Sequence, residues 1–180
     1  MNKLIQVNSE NDINPEYRGT PIGLLLEYHN LNRPFETYEK ADLLVGMCMD
    51  NRKHLHIPEN FAFIIRSGGA NLRYSEFKVS YAIAVGRVNH IVLIGHNNCG
   101  MVNLIAREQE FIEGLVDTAG WERDRAEEHF MHFAPMFEIG NEKDFILSET
   151  KRLRLRYPKI TIAPLYYKVD DNKLYFIREN

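Results

Sequence analysis

The sequence predicts an α/β fold with a mainly parallel β-sheet of about four parallel strands, a C-terminal antiparallel edge strand, flanking helices and an N-terminal helical arm. Three observations predict this fold. Short, continuous apolar runs are typical of parallel strands that are buried on both faces. These runs alternate with segments in which apolar residues recur at helical spacing. The last long run leads through the polar turn DDNK into a final short run, which is typical of a β-hairpin.

Length and composition predict a single domain. A chain of 180 residues buries roughly 70% of its unfolded surface, so it needs neither a disulfide nor a metal merely to fold. We expect one domain over residues 1–180, with an N-terminal arm and helix over residues 1–33 and an α/β core over residues 41–180. The net charge of -3 and the pI near 6.2 argue against nucleic acid or an anionic membrane as a partner.

The redox state of the compartment decides whether the two cysteines of the chain form a disulfide. No apolar run reaches the roughly 18 residues of a membrane helix. Residues 1–20 are polar and lack the apolar stretch of a secretion signal, so we expect a cytoplasmic protein. In a reducing compartment Cys48 and Cys99 are expected to bind metal, to catalyse or to be inert, and not to form a disulfide.

Five apolar runs are the predicted strands. Residues 42–49, 61–65 and 91–95 are nearly all apolar, as in parallel strands with both faces covered. Residues 160–169 continue the sheet, and residues 173–177 form the short antiparallel strand after the turn.

Helices are predicted before and between these strands. Residues 1–14 are expected to be a loose arm, and residues 21–31 a short helix with Pro21 near its first turn. Residues 75–88 have apolar side chains at helical spacing and suit a crossover helix between the second and third strands.

The charged segment over residues 107–156 is predicted to form several helices, with breaks near Gly120, Pro135 and Gly140. Its last helix begins after an asparagine cap in the stretch 141–157.

Three residues that bind soft metals follow two of the predicted strands. Cys48 lies at the end of the first strand, His96 at the end of the third, and Cys99 in the turn behind it. Ligands bind at the carboxyl ends of the strands in such sheets, so the three side chains converge if the strands are neighbours. Two thiolates and one imidazole are the ligands of an open catalytic zinc site with water in the fourth position. The alternative is that each cysteine is simply a small buried apolar residue.

A carboxylate and a guanidinium lie directly behind the first cysteine. Asp50 and Arg52 are two residues apart, which suits a bidentate ion pair beside Cys48. The alternative is a solvated loop with unpaired charges. His129 and His132 share one face of a predicted helix, where a packed or solvated face is favoured over a second metal because no third ligand is evident.

The motifs resemble those of the β-class carbonic anhydrases. CMDNR resembles the Cys-x-Asp-x-Arg signature of that family, and GHNNCGM resembles its Gly-His-x-x-Cys-Gly signature. SYAIAVGRVNHIVLIGH is similar to the helix and strand that lead to the histidine, and FAFIIRSGGAN to the family's second strand and following turn. The segment from Asn141 to Ile177 is similar to the closing helix, strand and hairpin, so the likeness covers roughly residues 17–178.

The resemblance implies a role for each of these residues. Cys48, His96 and Cys99 would bind Zn²⁺, and Asp50 and Arg52 would be a catalytic dyad for the reversible hydration of carbon dioxide to bicarbonate. Substrate would be oriented by the turn after the second strand and by the metal loop, through Gly69, Ala70, Asn71 and Gly100, with Asn97 and Asn98 as further candidates.

The resemblance also implies a partner subunit. In that family the N-terminal helix packs on a second subunit, and the segment PIGLLLEYHNLNRPF is expected to lack enough core of its own to cover. We therefore expect at least a homodimer.

Two other functions stay open at this point. The same zinc site suits a hydrolase of carbonyl sulfide or carbon disulfide, because the nucleophile would attack the same kind of carbon and pocket shape would decide. The chain would instead be a non-catalytic zinc protein if the Asp50 carboxylate occupied the fourth position on the metal.

Overall fold

Six strands form one mixed sheet in the computed structural model, which describes residues 3–178. The strands are β1 (Leu4–Gln6), β2 (Leu43–Met47), β3 (Ala62–Arg66), β4 (His90–His96), β5 (Thr161–Lys168) and β6 (Lys173–Ile177). They lie in the order β1-β6-β5-β4-β2-β3. The four strands β2 to β5 run parallel, β6 is antiparallel to β5, and β1 is antiparallel to β6. The predicted α/β class and its four parallel strands are therefore confirmed.

Helices pack on both faces of this sheet. The helices are α1 (Pro21–Leu31), α2 (Glu76–Ala84), α3 (Glu108–Ala119), α4 (Arg123–Phe137) and α5 (Glu142–Arg156). Helices α1, α2 and α5 share core clusters with the strands, whereas α3 and α4 pack against each other. Successive strand residues point to opposite faces, so Val92 and Ile94 of β4 pack with α1, whereas Ile91 and Leu93 pack with α2 and α5. Within residues 3–178 no helix is both long and apolar enough to cross a membrane.

The sheet has a different edge from the one that the sequence predicts. Residues 4–6 of the predicted loose arm form β1, which pairs with β6 from Leu4↔Ile177 to Gln6↔Tyr175. β6 is therefore an inner strand and β1 is the edge strand. The physical reason is that the free backbone groups of β6 accept a strand from the other end of the chain, and three residues carry no recognisable strand pattern.

The helix breaks predicted near Gly120 and Gly140 are present, whereas the one predicted near Pro135 is wrong, because Pro135 lies inside a helix. Gly120 follows α3 with a φ of 68°, a left-handed conformation that glycine adopts without strain. Pro135 lies inside α4, only two residues before the helix ends at Phe137. A proline so close to the end removes one backbone hydrogen bond and leaves little helix beyond it to disrupt.

Helix α1 buries its apolar side chains within its own chain. One face of the sheet, formed in part by side chains of β4 and β5, covers the apolar residues of this helix. Four of them are fully buried there: Ile22, Leu25, Leu26 and Tyr28. The expectation that this helix lacks a core of its own to cover is therefore wrong. The helix starts at a Thr20 cap, whose hydroxyl accepts a hydrogen bond from the backbone of Gly23.

A histidine of α1 is buried in its neutral form. The His29 ring packs against Tyr167, and its Nδ1 accepts a hydrogen bond of 3.0 Å from the backbone N–H of His56. Burial is the main reason why the pKa of His29 falls from 6.5 to about 4, and the nearby charge of Lys173 lowers it further.

This histidine is expected to destabilise the fold in mild acid. Below pH 6.5 the unfolded chain binds a proton that folded His29 does not take up until about pH 4, so the free energy of unfolding falls across that window. The shift corresponds to about 3 kcal/mol at most. Urea denaturation at about pH 7 and about pH 5 should show that the free energy of unfolding decreases less for His29→Gln than for the wild type. His132 is exposed, so the control variant His132→Gln should show the same decrease in the free energy of unfolding as the wild type. An equal decrease in all three proteins would contradict the prediction.

Candidate metal centre and active site

The three candidate metal ligands meet at the carboxyl edge of the parallel strands. Cys48 directly follows β2 and His96 ends β4, and these strands are paired with Met47 opposite Ile94. Cys99 lies in the turn that follows β4. All three side chains are buried, and their sulfur and nitrogen atoms lie within 4.8 Å of one another. They are the one group of this kind in the described part of the chain that could hold a metal ion.

The spacing of the sulfurs fits a tetrahedral metal. Cys48 Sγ and Cys99 Sγ are 3.9 Å apart, and both cysteines are free thiols. Two thiolates that bind one zinc at about 2.3 Å in tetrahedral geometry lie about 3.8 Å apart. The separation is therefore suited to a shared metal, and it is too long for a disulfide.

The orientation of His96 leaves one ring nitrogen for a metal. Nδ1 lies 3.0 Å from the carbonyl oxygen of Asn97, which sets Nδ1 as the protonated nitrogen. Nε2 is buried and has no hydrogen-bond partner in the described residues. A buried acceptor without a partner is costly, and a cation beside the two sulfurs would satisfy it.

The contact between the thiols also favours a cation. Cys99 and, more weakly, His96 lower the pKa of the Cys48 thiol, whereas the same contact together with burial raises the pKa of Cys99. One thiolate forms easily and the second proton is retained, because two negative sulfurs repel each other in a buried site. A divalent cation between them would remove that repulsion.

Asp50 and Arg52 form a closed ion pair beside the candidate metal ligands. Arg52 Nε donates to Asp50 Oδ1 at 2.9 Å and Nη2 donates to Oδ2 at 2.6 Å, while the backbone N–H of Arg52 donates to Oδ1 at 2.9 Å. The guanidinium holds the pKa of the Asp50 carboxyl well below its usual range, so the group is a carboxylate at neutral pH.

The pair is held against the metal loop. Arg52 Nη2 also donates to the carbonyl oxygen of Asn98 at 2.9 Å, so one guanidinium joins the loops after β2 and β4. Asp50 Oδ2 lies 3.9 Å from His96 Nε2, close to the three candidate ligands but bonded to the arginine. An acceptor-only carboxylate is thus fixed beside the open side of the candidate metal site.

Comparison with protein families identifies the chain. The family model described as carbonic anhydrase matches residues 47–172, more than half of the 180 residues. The chain belongs to the carbonic anhydrase family. The matched region contains the two cysteines, the histidine and the ion pair described above, and the prediction of an enzyme of this family is confirmed.

Solved carbonic anhydrases share the fold. A carbonic anhydrase from Glaciozyma antarctica superposes with a TM-score of 0.60 at 22% identity, covering 78% of this chain and 85% of that one. A β-carbonic anhydrase from Trichomonas vaginalis gives 0.62 at 18% identity, with 83% and 91% covered. A carbon disulfide hydrolase gives 0.55 at 17% identity, with 78% and 80% covered. The resemblance to the β class is confirmed, and no protein of curated function matches the sequence.

Arg66 is a site residue that the sequence reasoning missed. Its Nη1 donates to the carbonyl oxygens of Cys48 at 3.2 Å and Asp50 at 3.4 Å, and its Nη2 donates to that of Lys53 at 3.1 Å. One side chain therefore ties down the loop that carries both a candidate ligand and the carboxylate. The available signal was an arginine directly after the second predicted strand, residues 61–65.

Asn97 joins the loop after β4 to the β5–β6 hairpin through hydrogen bonds of its side chain. Its Oδ1 accepts a hydrogen bond from the backbone N–H of Val169 at 2.8 Å, and its Nδ2 donates to Asp170 at 3.3 Å. The side chain is thus engaged with protein groups, which is a structural task different from the expected contact with substrate.

The turn expected to hold substrate lies beside the site but is partly engaged elsewhere. Asn71 is buried, donates to the carbonyl oxygen of Met136 at 2.9 Å and accepts from the backbone of Arg73. Gly69 and Ala70 both have φ near 61°, and a side chain at Gly69 would meet Ile139. Gly100 follows Cys99 and faces open space.

His129 belongs to an aromatic cluster. Its ring lies 4.8 Å from that of Phe133, 5.2 Å from that of Trp121 and 6.2 Å from that of Phe111. His129 is partly packed and His132 is exposed, and within residues 3–178 neither belongs to a group of three metal-ligating side chains.

Proposed function

We propose that the chain catalyses the zinc-dependent reversible hydration of carbon dioxide to bicarbonate. The observation that carries the proposal is the buried group of Cys48, His96 and Cys99, with an unpartnered Nε2, beside a carboxylate that Arg52 holds in place. In this proposal the two sulfurs and Nε2 hold Zn²⁺, and membership of the carbonic anhydrase family supports the reaction.

The protein's own groups orient the nucleophile. Zinc, when bound, supplies the Lewis acidity that makes water nucleophilic near neutral pH. The Asp50 carboxylate would accept a hydrogen bond at Oδ2 from the attacking water, which would aim an oxygen lone pair at the carbon of carbon dioxide. Arg52 keeps Asp50 ionised and prevents it from turning to the metal. Arg66 holds the loop on which Asp50 sits.

Stopped-flow kinetics together with a metal assay test the proposal. We expect about one zinc per chain and hydration of carbon dioxide well above the uncatalysed rate. Zinc-loaded protein that does not accelerate hydration would overturn the proposed reaction, and protein that binds no zinc would overturn the proposed site.

Hydrolysis of carbonyl sulfide or carbon disulfide is the second candidate. A pocket of about 540 Å³ is lined by Met49, which follows Cys48, and by Met101, which packs against both cysteines. Its lining has no aspartate, glutamate, lysine or arginine, so it would admit an uncharged sulfur compound as readily as carbon dioxide. Hydrogen sulfide measured in the headspace over carbon disulfide identifies this activity. A non-catalytic site closed by Asp50 is less favoured, because both oxygens of that carboxylate are bonded to Arg52.

We also propose a homodimer in the cytoplasm. Unpaired thiols as metal ligands suit a reducing compartment. The surface available for a second copy is an apolar strip of Phe77 and Tyr81 on α2 and Val85 directly after it, beside Phe63 and Ile64 on β3, the strand at the sheet edge opposite β1. Large exposed apolar patches are typical of subunit interfaces.

The oligomeric state is tested by sedimentation. The wild type is expected to sediment as a dimer or larger at micromolar concentration, and Phe77→Lys to shift it towards the monomer. Leu155→Lys is the matched control, because Leu155 is also a highly exposed apolar residue but lies on α5. A folded wild-type monomer would contradict the proposal.

A further inference from the structure

A large apolar pocket opens at the same edge of the sheet as the candidate metal site. It has a volume of about 540 Å³. Met49 and Met101 line one side of it. In the sequence, Met49 directly follows Cys48, and Met101 comes two residues after Cys99. Phenylalanines of the α3–α4 pair line the other side, at Phe111, Phe130, Phe133 and Phe137. We call this space the apolar pocket.

The pocket is larger than the proposed reaction requires. Carbon dioxide has three heavy atoms, whereas cavities of roughly 300–1,000 Å³ enclose organic ligands of drug size. The lining contains no aspartate, glutamate, lysine or arginine, so a charged ligand would lose its hydration without gaining a partner. Methionine side chains adapt to guests of varied shape, and phenylalanine rings suit aromatic guests.

Only two side chains in the lining have hydrogen-bonding groups. They are Ser67, at the end nearest β3, and His129, whose ring is held by Phe111 and Phe133. Two polar groups in an otherwise apolar wall are typical of a site that orients an organic ligand.

We propose that the apolar pocket binds an uncharged aromatic compound, larger than the substrate, which competes with carbon dioxide for the approach to the metal site. The competitive effect rests on the proposed function, whereas the binding itself does not. Competition follows from position, because Met49 directly follows Cys48 in the chain and Met101 packs against the cluster that contains both cysteines.

Benzene and benzoate are the probes, and methionine methyl groups are the reporters. In zinc-loaded protein with ¹³C-methyl methionine, benzene is expected to shift the signals of Met49 and Met101 saturably. Met131 points out to solvent from α4, lies outside the lining and should not shift. Benzoate has the same ring with a charge, and its carboxylate is a zinc ligand, so it should not reproduce the benzene shifts at equal concentration. Single Met→Leu variants assign the signals.

A glycine next to the methionine allows the pocket to be narrowed. A methyl group at Gly68 would lie 2.9 Å from Met101 Sδ and 3.3 Å from Phe137, so Gly68→Ala pushes Met101 into the cavity. We expect this variant to weaken benzene binding about tenfold. Gly114→Ala is the matched control, because a methyl group there meets no atom within 4 Å and lies outside the lining.

Kinetics separate this proposal from the proposed function. In an active enzyme benzene should raise KM for carbon dioxide and leave kcat unchanged. Saturable shifts in a protein that does not hydrate carbon dioxide would overturn the proposed function and support the pocket. In an active enzyme, three results would refute binding of benzene in the apolar pocket. They are no shift of the Met49 and Met101 signals with benzene, an equal shift with benzoate, and a shift no larger than that of Met131.

Discussion

Replacing Arg52 by alanine is expected to abolish nearly all hydration of carbon dioxide while the fold and the bound zinc remain. The loss should be roughly 10²–10⁴-fold in kcat/KM, the usual contribution of a positioned acid–base group. Arg52 Nε and Nη2 bind both oxygens of Asp50, which lies only 3.9 Å from His96 Nε2. Without the arginine, the metal becomes the best partner for the carboxylate, and the fourth coordination position closes.

A structure of the variant separates this positioning role from a merely structural one. We expect an Asp50 oxygen at about 2.0–2.2 Å from zinc in Arg52→Ala. Arg52→Lys should rescue poorly, because one ammonium cannot copy the planar two-point bond or also reach the Asn98 carbonyl.

Arg33→Ala is the matched control. Arg33 also pairs with two carboxylate oxygens, at Glu27 and Glu36, and its side chain is 38% exposed compared with 42% for Arg52. It lies far from the candidate site in sequence and on no loop of that site. Near wild-type hydration by Arg52→Ala, or an equal loss in both variants, would show that the dyad does not work as proposed.

Removing one candidate ligand is expected to release the zinc. In Cys48→Ala or His96→Ala two ligand atoms remain, and two ligands make a poor zinc site. Removing even an outer partner of a metal ligand typically costs roughly 10–100-fold in affinity, so the loss of a direct ligand should exceed that range. Zinc content after dialysis and a competition titration with a chromophoric chelator measure the effect.

His90→Ala is the control for His96→Ala. Both histidines belong to β4, one at its first residue and one at its last, but only His96 lies at the edge where the two thiols converge. His90→Ala should keep about one zinc per chain. Full zinc occupancy in Cys48→Ala or His96→Ala would refute the assignment of these residues as ligands.

The sequence by itself determined the parallel core and the group of candidate ligands. Apolar runs without alternation indicate strands covered on both faces, and the carboxyl ends of neighbouring parallel strands share one edge. The sequence places Cys48 and His96 at strand ends and Cys99 in the turn that follows, and the three converge because β2 and β4 are paired. The ion pair between Asp50 and Arg52 depends on a spacing of two residues, which is also readable from the chain.

Contacts between distant segments were decided only by the tertiary structure. The pairing of β1 with β6 joins the two ends of the chain, and the three carbonyl oxygens that Arg66 holds lie on another strand's loop. The apolar side chains of α1 are buried within the same chain because β4 and β5 present an apolar face to this helix. The sequence of α1 alone does not show which surface will cover it. The apolar pocket likewise exists only because α3 and α4 fold back beside Met49 and Met101. Periodicity reports which face of an element is apolar, whereas the element that covers this face is chosen by packing over the whole chain.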